Sequence, residues 1–236
     1  MEPILGIINV TQDSFSGDGI LGNDIKLFKK FEVAKKNNVK ILDIGCVSTK
    51  PGFSEVSLIN EQDRLYSFLI NKSPDFTYSI DTMNSSIAKI AIDNNFSIIN
   101  DVGGFVSNKM VETALITRAN IILVHRNQDT KTLHEKTKFK DVLNQVKEEL
   151  LAKASELEYL GIKKENIAID PGLGFGKEMD DSATLLKNID QFNTEYPLIV
   201  GYSKKKFLQL ISLSNEELYN HCKNSGVSLI RLHLND

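Results

Sequence analysis

Cysteine, net charge and long apolar runs are all scarce in this chain. Its two cysteines, Cys46 and Cys222, show neither the spacing of a metal site nor a pairing pattern, so we expect two free thiols in a reducing cytoplasm. No apolar run approaches the roughly 20 residues that a membrane helix needs, and the N-terminus does not resemble a signal peptide. The net charge of −3 disfavours nucleic acid as a partner. The composition therefore predicts a cytoplasmic protein without a nucleic-acid or membrane partner.

The chain also lacks low-complexity segments and anything that resembles a domain linker. Its 236 residues, 41% of them hydrophobic, are enough for a sizeable core and suit one α/β barrel as well as two small domains. Without a linker we predict a single domain over residues 1–236.

Short apolar segments alternate with amphipathic ones, which predicts eight strands separated by helices. The predicted strands are 4–8, 40–44, 77–81, 97–100, 120–125, 167–169, 197–201 and 228–232, with helices over about 139–160 and 182–189 flanking the sixth. Such alternation forms a parallel sheet, and eight strands close a (β/α)8 TIM barrel. An open doubly wound sheet is the alternative. The chain stops at Asp236, directly after the eighth strand, so we expect the last outer helix to be missing.

The segment from Ile167 to Lys177 shows a plan that recurs along the chain. A short apolar strand ends in the carboxylate of Asp170, and Pro171 then stops the strand because it has no N–H for the ladder. Three glycines follow, which let the backbone turn sharply and approach a ligand closely. In a barrel the carboxyl ends of all strands face one mouth, so polar residues at these ends predict an active site.

The polar residues at the predicted strand ends fall into two groups. Asp81, Asn100 and Asp170 offer acceptors and donors that match a flat heterocycle with amino, ring N–H and carbonyl groups. The basic residues, which predict an anion site, are Lys50, Lys177, Lys204, Lys205, Lys206, Arg231 and His233. Asn9 can add an oxygen ligand to Mg2+, which prefers oxygen and phosphate partners. The predicted ligand is a heterocycle that carries a phosphate or pyrophosphate.

Seven motifs in order along the chain resemble those of the dihydropteroate synthase family. They are Asn9–Ser16, Asp43–Gly45 with Ser48–Gly52, Ser79–Thr82, Ile99–Gly104, Asp170–Lys177, Gly201–Lys205 and Arg231–His233. The resemblance implies a (β/α)8 barrel and a transferase of folate biosynthesis with Mg2+ as cofactor. In the implied reaction, the amine of p-aminobenzoate displaces pyrophosphate from 6-hydroxymethyl-7,8-dihydropterin diphosphate.

The resemblance also implies which residues bind the pterin. Asp81, Asn100 and Asp170 resemble the family's pterin-binding residues, and Lys205 resembles the lysine that contacts the pterin. Phe175 is either ordinary core packing or a ring that stacks near the pterin or p-aminobenzoate.

Residues for the other substrate groups follow from the same resemblance. Asn9, Arg231 and His233 resemble ligands of the pyrophosphate and Mg2+, with Asn9 as the metal ligand. Thr49 and Lys50 lie in a loop that is expected to cover the p-aminobenzoate. The predicted catalytic residues are Lys205, Arg231 and His233.

Two departures from the family pattern leave other interpretations open. Lys50 stands where arginine is usual, and lysine cannot make the bidentate contact that arginine makes to phosphate; Lys206 stands where serine is usual. One alternative is a homologue that binds a pterin, or supports a partner chain, without turnover. Another is a barrel that transfers a methyl group from a reduced folate. A missing outer helix would also expose an apolar patch, which predicts a homodimer or a partner subunit.

Overall fold

Strands form where the sequence has its short apolar segments. The computed structural model describes residues 3–11, 19–47, 56–126 and 135–234. Its strands are β1 (Ile4–Asn9), β2 (Ile41–Gly45), β3 (Thr77–Asp81), β4 (Ile98–Asp101), β5 (Asn120–Val124), β6 (Ile167–Asp170), β7 (Ile199–Gly201) and β8 (Leu229–His233). Its α-helices are α1 (Asp24–Lys36), α2 (Leu58–Ile70), α3 (Ser85–Asp93), α4 (Asn108–Thr117), α5 (Val142–Tyr159), α6 (Met179–Lys187) and α7 (Asn215–Asn224).

The strands are parallel and lie in the order β6-β5-β4-β3-β2-β1-β8-β7. A bridge between Ile169 and Leu198 joins β6 to the start of β7, and the Ile169 N–H donates to the Pro197 carbonyl over 2.9 Å. The sheet returns to itself through this contact. The predicted (β/α)8 barrel is therefore confirmed, and the open doubly wound sheet is wrong.

The barrel interior changes from apolar to polar along the strands. Residues two apart on a strand share one face. Ile41 of β2 and Leu229 of β8 pack against an apolar cluster inside the barrel, which comprises Leu5, Val102, Ile122, Val124 and Ile199. Asp43 and Arg231 lie two residues further along the same strands, so they face the interior nearer the carboxyl ends. The alternation within the strands thus carries polar side chains to one mouth.

A larger apolar layer lies between the barrel and its helices. Phe68 of α2 contacts the rings of Phe31, Tyr78 and Phe96 at centroid distances of 6.5, 5.6 and 6.2 Å. All three contacts are edge-on, the geometry that adds to the stabilisation from buried area. These contacts hold α1 and α2 against β3.

Two helices begin at residues that differ from the predicted ones, and their caps explain the difference. α6 begins at Met179 rather than Ser182, because Glu178 and Asp181 form a capping box in which each side chain accepts a backbone N–H of the other. α5 begins at Val142 rather than near 139, because the Asp141 side chain accepts the Asn144 N–H at 3.2 Å.

The outer face of α1 exposes apolar side chains. Ile25 and Phe28 are 71% and 50% exposed, and with Val33 they line a shallow depression of about 580 Å3. β8 ends at His233, one residue before the last described residue. A homodimer or partner subunit at an apolar face stays a prediction.

None of the helices in the four described ranges has the length and apolarity that crossing a bilayer requires.

Candidate active site

Strands β2, β3, β4 and β8 send side chains to a network centred on Arg231. Its guanidinium donates through Nε to Asp43 Oδ2 at 2.5 Å and through Nη2 to Asp81 Oδ2. Asn100 donates from Nδ2 to the same Asp43 oxygen at 3.0 Å. Asp43, Asp81 and Asn100 are all buried. Three predicted site residues therefore meet around Asp43, a strand-end carboxylate of the Asp43–Gly45 motif to which the sequence alone assigned no role.

Four buried polar atoms of this region have no hydrogen-bond partner within the described part of the chain. They are Asp43 Oδ1, Ser79 Oγ, Asp81 Oδ1 and Asn100 Oδ1. An unpaired buried polar atom costs about 1–3 kcal/mol, so these atoms mark where a polar ligand or ordered water would bind. Carboxylate and carboxamide oxygens can only accept. The network therefore suits a ligand that supplies N–H donors.

The charges of the network shift the acidity of its members. Burial raises the pKa of Asp81 to about 7; the Arg231 guanidinium opposes this rise, whereas the carboxylates of Asp43, Asp101 and Glu61 add to it. Burial alone would lower the pKa of Arg231, but the carboxylates of Asp43 and Asp81 hold it above its ordinary value. Arg231 thus stays a cation while Asp81 can gain or lose a proton near neutrality.

Asp170 is held at the end of β6 by its own loop. Its Oδ1 accepts the Gly172 N–H at 2.7 Å. Gly172 has a φ of +65°, and a Cβ there would lie 2.1 Å from the His125 carbonyl oxygen, so the position requires glycine. Burial raises the pKa of Asp170, while the Gly172 N–H and the charges of Lys205 and Arg231 lower it. The loop thus fixes one carboxylate oxygen and presents the side chain to nearby cations.

Lys205 links the β6 loop to the carboxylates of the mouth. Its Nζ donates to the Leu173 carbonyl and lies 4.3 Å from the centroid of the Phe175 ring. Burial lowers the pKa of Lys205 to about 8, while Asp170 and Asp81 raise it. Asp81 ends β3 and Asp170 ends β6, and the parallel strands of the barrel bring both ends to the same mouth. Phe175 is partly buried and packs against the apolar cluster inside the barrel, and its stacking on a substrate stays a prediction.

Lys177, which the sequence placed among the basic residues of the rim, is buried behind the β6 loop. Its Nζ donates to the carbonyls of Gly172 and Phe175 at 3.1 and 3.2 Å and contacts His125 Nδ1 at 2.8 Å. His125 Nε2 lies 3.0 Å from Glu149 Oε2. Burial lowers the pKa of Lys177 to about 7 and also lowers that of His125. Lys177 therefore holds the loop in shape instead of offering a charge at the rim.

Asn9 and His233 end the paired strands β1 and β8. A Cβ added to Gly45 would lie 3.4 Å from Asn9 Oδ1 and 3.8 Å from Asp81 Oδ2, so Asn9 and Asp81 flank the same glycine. His233 Nδ1 lies 3.0 Å from Ser203 Oγ, which orients the imidazole. Both residues are half-buried at the mouth that carries the carboxylates.

Other predicted residues lie on the surface or outside the described ranges. Lys204 and Lys206 are exposed on either side of Lys205. Thr49 and Lys50 lie outside the described residues, so their role near p-aminobenzoate stays a prediction.

The sequence placed Asp43 at a strand end without assigning it a role, and it did not single out Ser79; the two residues face each other in the register of β2 and β3. Both are fully buried. Asp43 is a carboxylate in the middle of an apolar strand, two residues beyond an apolar position that faces the barrel interior. Burying an unpaired carboxylate costs free energy, so this position in the sequence indicates a functional or paired group.

The chain is similar to known proteins over most of its length. The chain matches the family model described as pterin binding enzyme over residues 5–233. The dihydropteroate synthase of Clostridium beijerinckii is 35% identical over 221 residues, which cover 91% of this chain and 79% of that protein. The dihydropteroate synthase of Escherichia coli is 31% identical over 218 residues, which cover 91% and 77%. The structure of dihydropteroate synthase from Anaplasma phagocytophilum with bound 6-hydroxymethylpterin-monophosphate matches with a TM-score of 0.82 and 26% identity, covering 98% of this chain and 92% of that one.

Proposed function

This chain belongs to the family of pterin-binding enzymes, and we propose that it joins 6-hydroxymethyl-7,8-dihydropterin diphosphate to p-aminobenzoate. Dihydropteroate is formed and pyrophosphate leaves. The activity is that of a dihydropteroate synthase, a transferase of folate biosynthesis, and the curated relatives described above carry that name.

The observation that carries this proposal is the set of buried acceptors at the mouth. Asp81 Oδ1 and Asn100 Oδ1 have no partner within the described ranges, and Asp170 ends β6 at the same mouth of the barrel. A pterin presents an amino group and a ring N–H along one edge, which can donate to such acceptors in charge-assisted hydrogen bonds. A ring without those donors would leave buried carboxylates unpaired and would be rejected.

The cations beside this pocket suit the diphosphate of the same substrate. During the reaction the C–O bond to the diphosphate breaks, a C–N bond to the arylamine forms, and the amine releases a proton. Negative charge grows on the leaving group, so cations that contact it stabilise the transition state more than the substrate. We assign this role to Arg231, Lys205 and His233. Arg231 commits two of its five N–H donors to Asp43 and Asp81, and the fork geometry of the others suits phosphate oxygens.

Mg2+ fits this site as a partner of the diphosphate. Among the described residues no group of three or more His, Cys, Asp or Glu side chains could hold a metal ion, and Asn9 offers one neutral oxygen at the mouth. Mg2+ commonly binds few protein oxygens and takes its other ligands from substrate phosphates and water. Asn9 would therefore hold the ion beside the diphosphate, where its charge would stabilise the leaving group.

An assay of pyrophosphate release tests the proposed reaction. With Mg2+ and the pterin diphosphate present, we expect release that depends on added p-aminobenzoate, measured beside a control synthase under the same conditions. Absence of amine-dependent release would contradict the proposal. Calorimetry with the pterin diphosphate would then show whether the chain is instead a pterin-binding homologue without turnover.

The raised pKa of Asp81 predicts that pterin binding depends on pH. The ring donors need an ionised Asp81 as acceptor, and the carboxyl is protonated below its pKa of about 7. Affinity for 6-hydroxymethylpterin should therefore rise by up to about tenfold per pH unit between pH 5 and 7 and level off above. Calorimetry across this range checks the prediction, and thermal melting at each pH confirms that the protein stays folded. A flat profile would remove Asp81 from the contact.

A further inference from the structure

We propose that Asp43 is a positioning residue that fixes the orientation of the Asn100 carboxamide, and through it selects ligands whose ring edge donates hydrogen bonds. This inference rests on the proposed function to the extent that the ligand is a pterin. It concerns Asp43 Oδ2, the oxygen that holds Asn100 and acts on specificity through it, and not Asp43 Oδ1, which has no partner within the described residues.

The orientation follows from the chemistry of the two groups. An ionised carboxylate can only accept hydrogen bonds, so the end of the carboxamide that faces Asp43 Oδ2 at 3.0 Å must be the NH2 group. Asn100 Oδ1 is thereby turned away from Asp43, and it has no partner within the described part of the chain. Asn100 therefore offers its carbonyl oxygen, Oδ1, as a hydrogen-bond acceptor for a ligand.

Asp43 is itself held in place, so it can act as a fixed reference. The same oxygen that accepts from Asn100 also accepts from Arg231 Nε at 2.5 Å. Arg231 in turn binds Asp81, and Asp43 is fully buried on β2. A carboxylate held on one oxygen by two donors cannot turn without breaking both hydrogen bonds, each of which includes a charged group and contributes about 1.5–3 kcal/mol.

The consequence is a preference between ligands of equal shape. A carboxamide in the opposite orientation would offer NH2 to the ligand and would select a ring that carries an acceptor there. Pterin and lumazine provide this comparison, because lumazine has an oxygen where pterin has its 2-amino group. With Asp43 in place the pocket should prefer 6-hydroxymethylpterin over 6-hydroxymethyllumazine. Without it Asn100 can turn to suit either ring.

Three variants separate this role from a structural one. Asp43→Leu keeps the branched shape of the side chain but removes the acceptor. Asp43→Asn is the conservative variant, because its carbonyl oxygen can take the place of Oδ2. Glu61→Gln is the matched control, since Glu61 is also a buried carboxylate but accepts from Thr82 at 2.6 Å.

Calorimetry with both ligands gives the readout. Asp43→Leu should reduce the preference for pterin by about tenfold or more, the scale of one hydrogen bond. Asp43→Asn and Glu61→Gln should keep the preference of the wild type. In an Asn100→Ala background Asp43→Leu should cause no further loss, because the two residues act as a unit. Equal weakening of both ligands by Asp43→Leu, or additive losses in the double variant, would overturn the inference.

A measurement on the unmutated protein covers the case in which Asp43→Leu does not fold. The side-chain NH2 signals of Asn100, identified in NMR spectra by their loss in Asn100→Ala, should exchange slowly in the free protein and shift little when 6-hydroxymethylpterin binds. Fast exchange or a large shift would contradict the inference. A wild-type protein that binds no pterin would contradict the proposed function, while the exchange rate in the free protein would still decide the orientation of Asn100.

Discussion

Replacing Arg231 by alanine should lower turnover at least about 100-fold, the scale reported for losing one preorganised donor to a developing charge. The variant removes the cation at the centre of the network and leaves Asp43 and Asp81 facing the mouth. Two carboxylates without their cation would also repel a diphosphate. Binding of the pterin diphosphate should therefore weaken more than binding of bare 6-hydroxymethylpterin, as measured by calorimetry in Mg2+.

Arg231→Lys is the control that separates charge from geometry. It keeps a cation but cannot hold two carboxylates with one planar fork, so we expect turnover between those of Arg231→Ala and the wild type. Removing one partner of a buried ion pair costs about 3–5 kcal/mol, and denaturant unfolding of both variants will measure that loss separately from binding. If both ligands weaken equally in a folded Arg231→Ala protein, Arg231 has only a structural role.

The fold could largely be predicted because each strand is a short apolar segment with polar residues on both sides. β3 (Thr77–Asp81) has the bounds that its sequence predicted. Helix starts were less predictable, because the cap of α6 depends on a reciprocal pair, Glu178 and Asp181, that lies before the apolar pattern begins. Barrel closure could be predicted from strand number alone, although β6 and β7 meet through one bridge that no local pattern reveals.

The site could be predicted in part, for a related reason. Asp81, Asn100 and Arg231 stand near strand ends, and parallel strands bring those ends together. The position of Lys177 depends instead on the loop before it. Gly172, Gly174 and Gly176 all have positive φ, and such a path turns the side chain inward in a way that residue spacing does not specify. Asp43 could be placed at a strand end, but its role could not be predicted because only its partners, Asn100 and Arg231, show what it does.

Replacing Asp170 by asparagine should weaken pterin binding by about 2 kcal/mol or more, which corresponds to about 30-fold. Asparagine can still accept the Gly172 N–H through its carbonyl oxygen, as Asp170 Oδ1 does at 2.7 Å. Its NH2 group would then replace the second carboxylate oxygen and meet the ring N–H donors as another donor. The loop geometry is thus kept, while the charge and one acceptor are lost. Calorimetry with 6-hydroxymethylpterin measures the change.

Asp101→Asn is a closely matched control for this substitution. Asp101 is also buried at the end of a strand, and its Oδ1 accepts the N–H two residues later, from Gly103, at 2.7 Å. Its Oδ2 accepts the Phe105 N–H at 2.9 Å, so both oxygens already serve the backbone of the β4 loop. Asp101→Asn should therefore lower the melting temperature and, above pH 7, where Asp81 is ionised, leave pterin affinity unchanged. Equal affinity losses in the two variants would mean that Asp170, like Asp101, shapes a loop and does not contact the ring.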